Sequence, residues 1–174
     1  CMCADLVAGT HGRGFWILDD VTPLRQAVAI RAAESARAAY LVAPVTAVRV
    51  RFGMNPPTPW PPEVPAGENP PPGAILDYYL AADSAGPVTL EVLDTHKIGT
   101  GGKVVRTYSS TDPVPAVHPA LDPVAYNKIC QETPSAPDCS LPLYWPAPPM
   151  VISTRQGLHR VWWDMRYDPI GEGG

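Results

Sequence analysis

Two adjacent carboxylates, Asp19 and Asp20, follow an apolar segment and are the first residues in the chain whose chemistry could be catalytic. Glycoside hydrolysis usually needs two carboxyl groups about 5 to 9.5 Å apart across the scissile bond. Consecutive residues of a regular strand point to opposite faces, so these two side chains cannot act together from such a strand. We expect them to bind local backbone or to cap a following helix, with calcium binding or catalysis as the alternatives.

His11 and Arg13 form a basic pair in the Gly-rich segment His11 to Gly14. Such a pair could contact a carboxylated sugar or peptide, whereas ordinary turn chemistry is the simpler explanation. The sequence contains no nucleophile elbow, no Gly-rich phosphate loop and no HExxH motif. Ser153 and His159 lie six residues apart, and no pattern links them to a third catalytic group.

Tryptophan could provide a platform for sugar rings, because an aromatic ring presents a large flat face at little entropic cost. We assign Trp16 and Trp163 to hydrophobic cores, since Trp163 lies on the apolar side of an alternating segment. Trp162, Trp60 and Trp145 are the candidates for exposure, although Trp60 and Trp145 are surrounded by prolines and are expected to order their loops.

The spacing of the cysteines says more about the cellular compartment of the protein than about catalysis. Cys130 and Cys139 flank eight residues of a Pro-rich segment, a loop that a disulfide closes easily, and free thiols are the alternative. Cys1 and Cys3 are too close in sequence to pair with each other without strain. The spacing of Cys130 and Cys139 is not a zinc spacing, so we predict no metal site. A disulfide would indicate the periplasm or the exterior of the cell.

Composition limits the class of protein. The 174 residues are 45% hydrophobic and 17% charged, with a net charge of -4 and no basic patch, so nucleic acid is not an expected partner. No run of about 18 apolar residues could cross a membrane as a helix. No cofactor-binding signature is present.

The elements that position these residues are mostly strands. Two β-rich segments, Asp5 to Thr10 and Phe15 to Asp20, predict a hairpin around the turn His11 to Gly14. Two strands alone are marginally stable, so partner strands are expected in sequence upstream of this chain. Pro23 to Ala39 is the one predicted helix, with Thr22 as its N-cap, and Tyr40 to Phe52 is predicted to contain a strand.

The second half of the chain predicts a β-sandwich. Apolar residues alternate in AILDYYLAAD, PVTLEVLD, KVVRTYSS and HRVWWDMRY, which indicates strands with one wet face. We predict that the first three form an antiparallel meander over residues 74 to 110. Prolines crowd Pro56 to Pro72 and Pro113 to Pro149, which excludes helix interiors and central strands there.

The ordered set of segments resembles the C-terminal part of secreted bacterial proteins built on BNR-type, sortilin-like β-propellers. The segments are DLVAGTHGRGFWILDDVTPLRQ, NPPPGAILDYYL, VTLEVLD, GGKVVRTYSS and GLHRVWWDMRY. Members of that group are often described as exo-alpha-sialidase-like or as glycosyl hydrolases. The resemblance omits the insert from about Thr111 to Pro149. The Asp-box pattern S-x-D-x-G-x-x-W is absent from the hairpin, and no cluster of arginines typical of a sialidase is present.

The resemblance implies an all-β fragment in three parts. Residues 1–22 would be the last strands of a propeller blade, and residues 23–72 a helix, a strand and a Pro-rich linker. Residues 73–170 would be an incomplete immunoglobulin-like or FlgD-like β-sandwich with an insert at about 111–149. The expected partners are upstream propeller blades of the same polypeptide, with carbohydrate or protein as further candidates. The fragment would lack a complete active site, and a purely structural or sugar-binding module is the alternative.

Overall fold

The computed structural model describes residues 5–49, 58–67, 73–95, 102–114, 117–135, 139–146 and 149–167. Within them the chain is mainly β, with short antiparallel sheets and few helices. The strands are β1 Leu6–Gly9, β2 Phe15–Leu18, β3 Ala39–Leu41, β4 Ala74–Leu80, β5 Thr89–Asp94, β6 Lys103–Ser109 and β7 Gly157–Trp163. The helices are α1 Thr22–Arg25, α2 Ala27–Ser35 and α3 Pro123–Glu132.

The chain divides into two compact units. The first comprises Cys1–Val50, Pro70–Asp112 and Ile152–Gly174, and it contains all seven of these strands. The second comprises Arg51–Asn69 and Pro113–Val151, the two Pro-rich stretches, and it contains α3.

The strands of the first unit form three sheets. β1 pairs with β2, β5 pairs with β6, and β4 lies between β3 and β7, with every pairing antiparallel. The predicted meander is therefore wrong in its first step, because β4 does not pair with β5. Each edge of β4 is occupied instead, one by β3 and the other by a strand that comes almost 80 residues later in the sequence.

The alternation predicted for β4 is confirmed. Ala74, Tyr78 and Leu80 are buried on one face, together with Val161 of β7. The opposite face was expected to be wet, yet Asp77 is only 3% exposed there. Residues of another segment must therefore cover the Asp77 carboxylate.

The helices differ from the prediction in two respects. Thr22 is not the N-cap: it is the first residue of α1, and Val21 precedes it without a side-chain cap. The single predicted helix is interrupted at Gln26, whose side chain binds the backbone of Ala43 in both directions. The predicted strand in Tyr40 to Phe52 is limited to β3, and residues 50–52 lie outside the described part of the chain.

Helix α3 was not predicted, because proline was taken to exclude it. Asp122 is its N-cap and accepts a hydrogen bond from the Ala125 amide at 2.9 Å, and Pro123 occupies the first turn. Proline is well tolerated at that position, where its missing N–H would have no helical partner. The dipeptide Asp122-Pro123 was therefore a helix start signal.

The Tyr78 hydroxyl connects β4 to the segment that precedes β7 through two hydrogen bonds. Its hydroxyl donates to the Ser153 carbonyl at 2.9 Å and accepts from the Ser153 amide at 2.7 Å. Burial raises the pKa of Tyr78, and the hydrogen bond to the Ser153 backbone opposes that shift only in part. The fold therefore favours the neutral phenol.

We expect Tyr78→Phe to lower the free energy of unfolding by about 1 to 3 kcal/mol, because two backbone groups of Ser153 lose their partner. Since the folded pKa lies above the unfolded value of 10.0, the wild type should keep this contribution below pH 10 and lose it as the pH rises further. Urea titrations from pH 8 to 11 measure both effects. The difference between the two proteins should shrink at the alkaline end, and a constant difference would contradict the assignment.

Candidate interaction surface

The β1–β2 hairpin is apolar on both faces. Its register sets Leu6 opposite Leu18 and Ala8 opposite Trp16, so these residues share one face. Val7 lies opposite Ile17 and Gly9 opposite Phe15 on the other face. A sheet that borders water on one side has polar residues on that side. This hairpin has none on either side.

Both faces are also accessible to solvent. Phe15 is 82% exposed and Trp16 is 65% exposed, and Leu6, Val7, Ile17 and Leu18 are each more than half exposed. The core position predicted for Trp16 is therefore wrong for this chain, because no described element packs on its face of the hairpin.

The turn of the hairpin is held by backbone geometry. The Thr10 amide and hydroxyl both donate to the Gly14 carbonyl, at 3.1 and 2.8 Å. Gly12 and Gly14 have φ values of 80° and 75°, a region that glycine occupies without steric cost. His11 and Arg13 are exposed on this turn.

The other end of the hairpin is fixed by Asp20, which is buried. Its carboxylate accepts hydrogen bonds from the Thr22 amide, at 3.0 Å, and from the Thr22 hydroxyl. Its own amide donates to the Asp5 carboxylate at 3.0 Å, across the open end of the hairpin. Asp20 has a φ of 51°, which aspartate tolerates better than most residues. Asp20 thus binds local backbone at the start of the helix.

Arg160 of β7 joins this end of the hairpin to the sheet formed by β3, β4 and β7. Its guanidinium donates to the carbonyls of Asp19 and Asp20, each at 2.8 Å. It also donates to both carboxylate oxygens of Asp77, at 2.9 and 3.1 Å. We call Asp19, Asp20, Asp77 and Arg160 the hairpin anchor. The hydrogen bonds with Asp77 raise the pKa of Arg160 above its ordinary value, and the charges of Asp20 and Asp19 make smaller contributions in the same direction.

Asp77 was not singled out from the sequence. It lies directly opposite Arg160 in the β4–β7 register and is buried. A planar guanidinium matches a carboxylate with two parallel hydrogen bonds, which gives the pair a defined orientation. The sequence shows only that Asp77 and Arg160 each lie on the polar side of an alternating segment, which does not pair one with the other.

The structure brings only some of the predicted site residues together. Asp19 and Asp20 belong to the hairpin anchor, whereas His11 and Arg13 lie at the opposite end of the hairpin. Trp162, predicted to be exposed, is half-buried, as is Trp163, predicted to be in a core. The contrast expected between these two neighbours is therefore absent. Trp60 remains 67% exposed.

The second unit contains the predicted disulfide. Cys130 and Cys139 are bonded with a Cα–Cα distance of 5.3 Å, so the free-thiol alternative is wrong for this pair. Cys1 and Cys3 lie outside the described residues. Among the described residues no group of three or more His, Cys, Asp or Glu side chains could hold a metal ion. No helix in the same ranges is both long and apolar enough for a membrane span.

Comparison of the chain with protein-family models, curated proteins and solved structures finds no match in any of the three. The functional conclusion therefore rests on the geometry of the hairpin and its anchor.

Proposed function

We propose that the chain is a non-catalytic C-terminal module of a secreted protein with a BNR-type or sortilin-like β-propeller. The β1–β2 hairpin would belong to the last blade of the propeller, and the anchor would fix the accessory sheets to it. The parent protein would be a glycoside hydrolase of the exo-alpha-sialidase-like kind, with its catalytic residues on the upstream blades.

The observation that carries this proposal is the exposure of apolar side chains on both faces of one hairpin. A strand inside a propeller blade is covered on both faces, because each four-stranded blade packs between two neighbouring blades. A sheet of a sandwich needs cover on one face only. The residue pairs Leu6 with Leu18 and Val7 with Ile17 therefore fit a blade better than a third sheet of a sandwich.

The remaining sheets of the first unit support an accessory domain of the immunoglobulin-like kind. β3, β4 and β7 form one antiparallel sheet and β5 and β6 another, which would be five strands of an incomplete two-sheet sandwich. The disulfide between Cys130 and Cys139 favours a periplasmic or extracellular location, where such bonds persist.

The geometry of the aspartates favours a structural role over catalysis. The Asp20 carboxylate is buried and already accepts two hydrogen bonds from Thr22. Asp77 is paired with Arg160 through both of its oxygens. A glycosidase pair must instead face one substrate from both sides of a bond. We therefore assign these carboxylates to the attachment of the hairpin.

Lysine at the hairpin should weaken self-association of the 174-residue chain. Exposed apolar strands favour association, so we expect the wild type to form oligomers and to bind a hydrophobic dye. Trp16→Lys and Ile17→Lys, one on each face, should each weaken association by about 10- to 100-fold, the equivalent of one lost buried side chain. Sedimentation velocity across a concentration series measures this change.

Val28→Lys is the matched control, because Val28 is 84% exposed on α2 and lies outside the hairpin. It should associate as the wild type does. A monomeric wild type, or equal effects of all three substitutions, would contradict the assignment of the hairpin. Turnover of sialosides or other glycosides by the 174-residue chain would contradict the non-catalytic assignment.

A further inference from the structure

A concave site outside the hairpin lies in the first unit, beside the end of β7. It has a volume of about 560 Å³ and is lined by Leu93, Asp94, Thr95, Val105, Trp163 and Tyr167. This volume lies within the range of about 300 to 1,000 Å³ that small-molecule sites occupy. The lining combines two aromatic rings with a carboxylate and a hydroxyl.

A sharp turn places the two aromatic residues on the same site. The indole N–H of Trp163 donates to the Arg166 carbonyl at 2.8 Å, and the Arg166 amide donates to the Asp164 carboxylate at 3.1 Å. Met165, between them, has a φ of 58°, which is unfavourable for a residue with a long side chain. Trp163 and Tyr167, on either side of this turn, line the same concavity.

The two aromatic rings differ in burial: that of Trp163 is half-buried, and that of Tyr167 is largely exposed. Trp163 is half-buried and its N–H is already bonded, so its position is fixed and its ring surface is the part left for contact. Tyr167 is 65% exposed, although it lines the same concavity. An aromatic face carries negative partial charge, which attracts the weakly positive C–H groups on one side of a pyranose ring.

The polar residues indicate which sugars fit. A carboxylate offers about four lone-pair sites, so Asp94 can accept hydrogen bonds from sugar hydroxyls beside any contact it makes within the protein. Thr95 can both donate and accept. Asp94 lies opposite Lys103 in the β5–β6 register, but none of the six lining residues is itself a cation that could pair with an anionic sugar. We propose that this site binds a neutral pyranose unit of an oligosaccharide, stacked against Trp163 and Tyr167 with its hydroxyls directed to Asp94 and Thr95.

Titration with neutral tetrasaccharides of glucose, xylose, mannose and N-acetylglucosamine tests this site. Isothermal titration calorimetry should detect binding of at least one of them, and the indole N–H resonance of Trp163 should shift in the wild type. Tyr167→Ala should weaken that binding by about tenfold, the size of one aromatic contact, while Tyr167→Phe should stay within about threefold. Asp94→Asn should weaken binding as well, since it loses a charged acceptor.

Trp60→Ala is the control, because Trp60 is exposed and does not line the site. It should bind as the wild type does, and circular dichroism should show that all variants are folded. The proposal is overturned if no tetrasaccharide binds, if Tyr167→Ala binds like the wild type, or if sialyllactose binds more tightly than every neutral sugar. Displacement of the Trp163 resonance by choline but by no sugar would likewise overturn it, since an aromatic site with one carboxylate would then be a cation site.

Discussion

Gly73→Ala should destabilise the first unit by at least about 3 kcal/mol, a loss that few single substitutions reach. Gly73 has a φ of 145°, and a Cβ atom at this position would clash with the carbonyl oxygen of Trp163. Both the backbone conformation and the close approach of β7 therefore require glycine. The clash is with backbone, so relief requires separation of β4 from β7 at the Ala74–Trp163 pair.

Gly86→Ala is the matched control for this effect. Gly86 lies in the same unit, and a Cβ there meets nothing within 4 Å. Its free energy of unfolding should change by less than about 1 kcal/mol. Urea denaturation followed by tryptophan fluorescence compares the two variants. A stable Gly73→Ala protein would show that β7 does not approach β4 in this register.

Arg160→Met should cost about 3 kcal/mol, because it leaves the Asp77 carboxylate buried without its cation. The loss is expected at the lower end of the range for buried pairs, since 37% of the Arg160 side chain is exposed against 3% for Asp77. The carbonyls of Asp19 and Asp20 lose donors in the same step. Amide exchange in the hairpin should therefore accelerate more than exchange in β5 and β6.

Two further variants separate the buried pair from ordinary surface charge. Arg155→Met removes an exposed ion pair with Asp83 at 3.5 Å and should change stability by less than about 1 kcal/mol. The double variant Asp77→Leu with Arg160→Met should recover most of the loss, because no unpaired charge remains. If the double variant is as unstable as Arg160→Met alone, the cost comes from the Asp19 and Asp20 carbonyls and not from Asp77.

Local patterns in the sequence predict most of the strands. Alternation specifies β4 and β7, and the glycines of the turn specify the hairpin, because both signals depend on residues close in sequence. The Cys130–Cys139 disulfide was also predictable, since the loop it closes is short. Helix α3 was missed for a local reason, the treatment of Pro123 as a breaker when it follows the N-cap Asp122.

The pairing of distant strands could not be predicted from such patterns. Asp77 and Arg160 are 83 residues apart, and nothing near either residue specifies the other. Arg160 also donates to the carbonyls of Asp19 and Asp20, which belong to a third segment, so the role of the pair appears only when all three segments are assembled. The pairing of β5 with β6, by contrast, joins neighbouring segments and was part of the predicted meander, whereas the partners of β4 were not predicted.

Hydrogen exchange at the hairpin tests the central proposal most directly. The 174-residue chain should be compared with the same chain joined to the propeller that the proposal places before it. In the chain alone, the outward-facing amides of Leu6–Gly9 and Phe15–Leu18 should exchange quickly, because no further strand in the described part of the chain bonds them. With the propeller present, these amides should be protected as strongly as those of β4, and dye binding should disappear. Equal, rapid exchange in both proteins, with Phe15 and Trp16 still accessible, would contradict the assignment of the hairpin to a propeller blade.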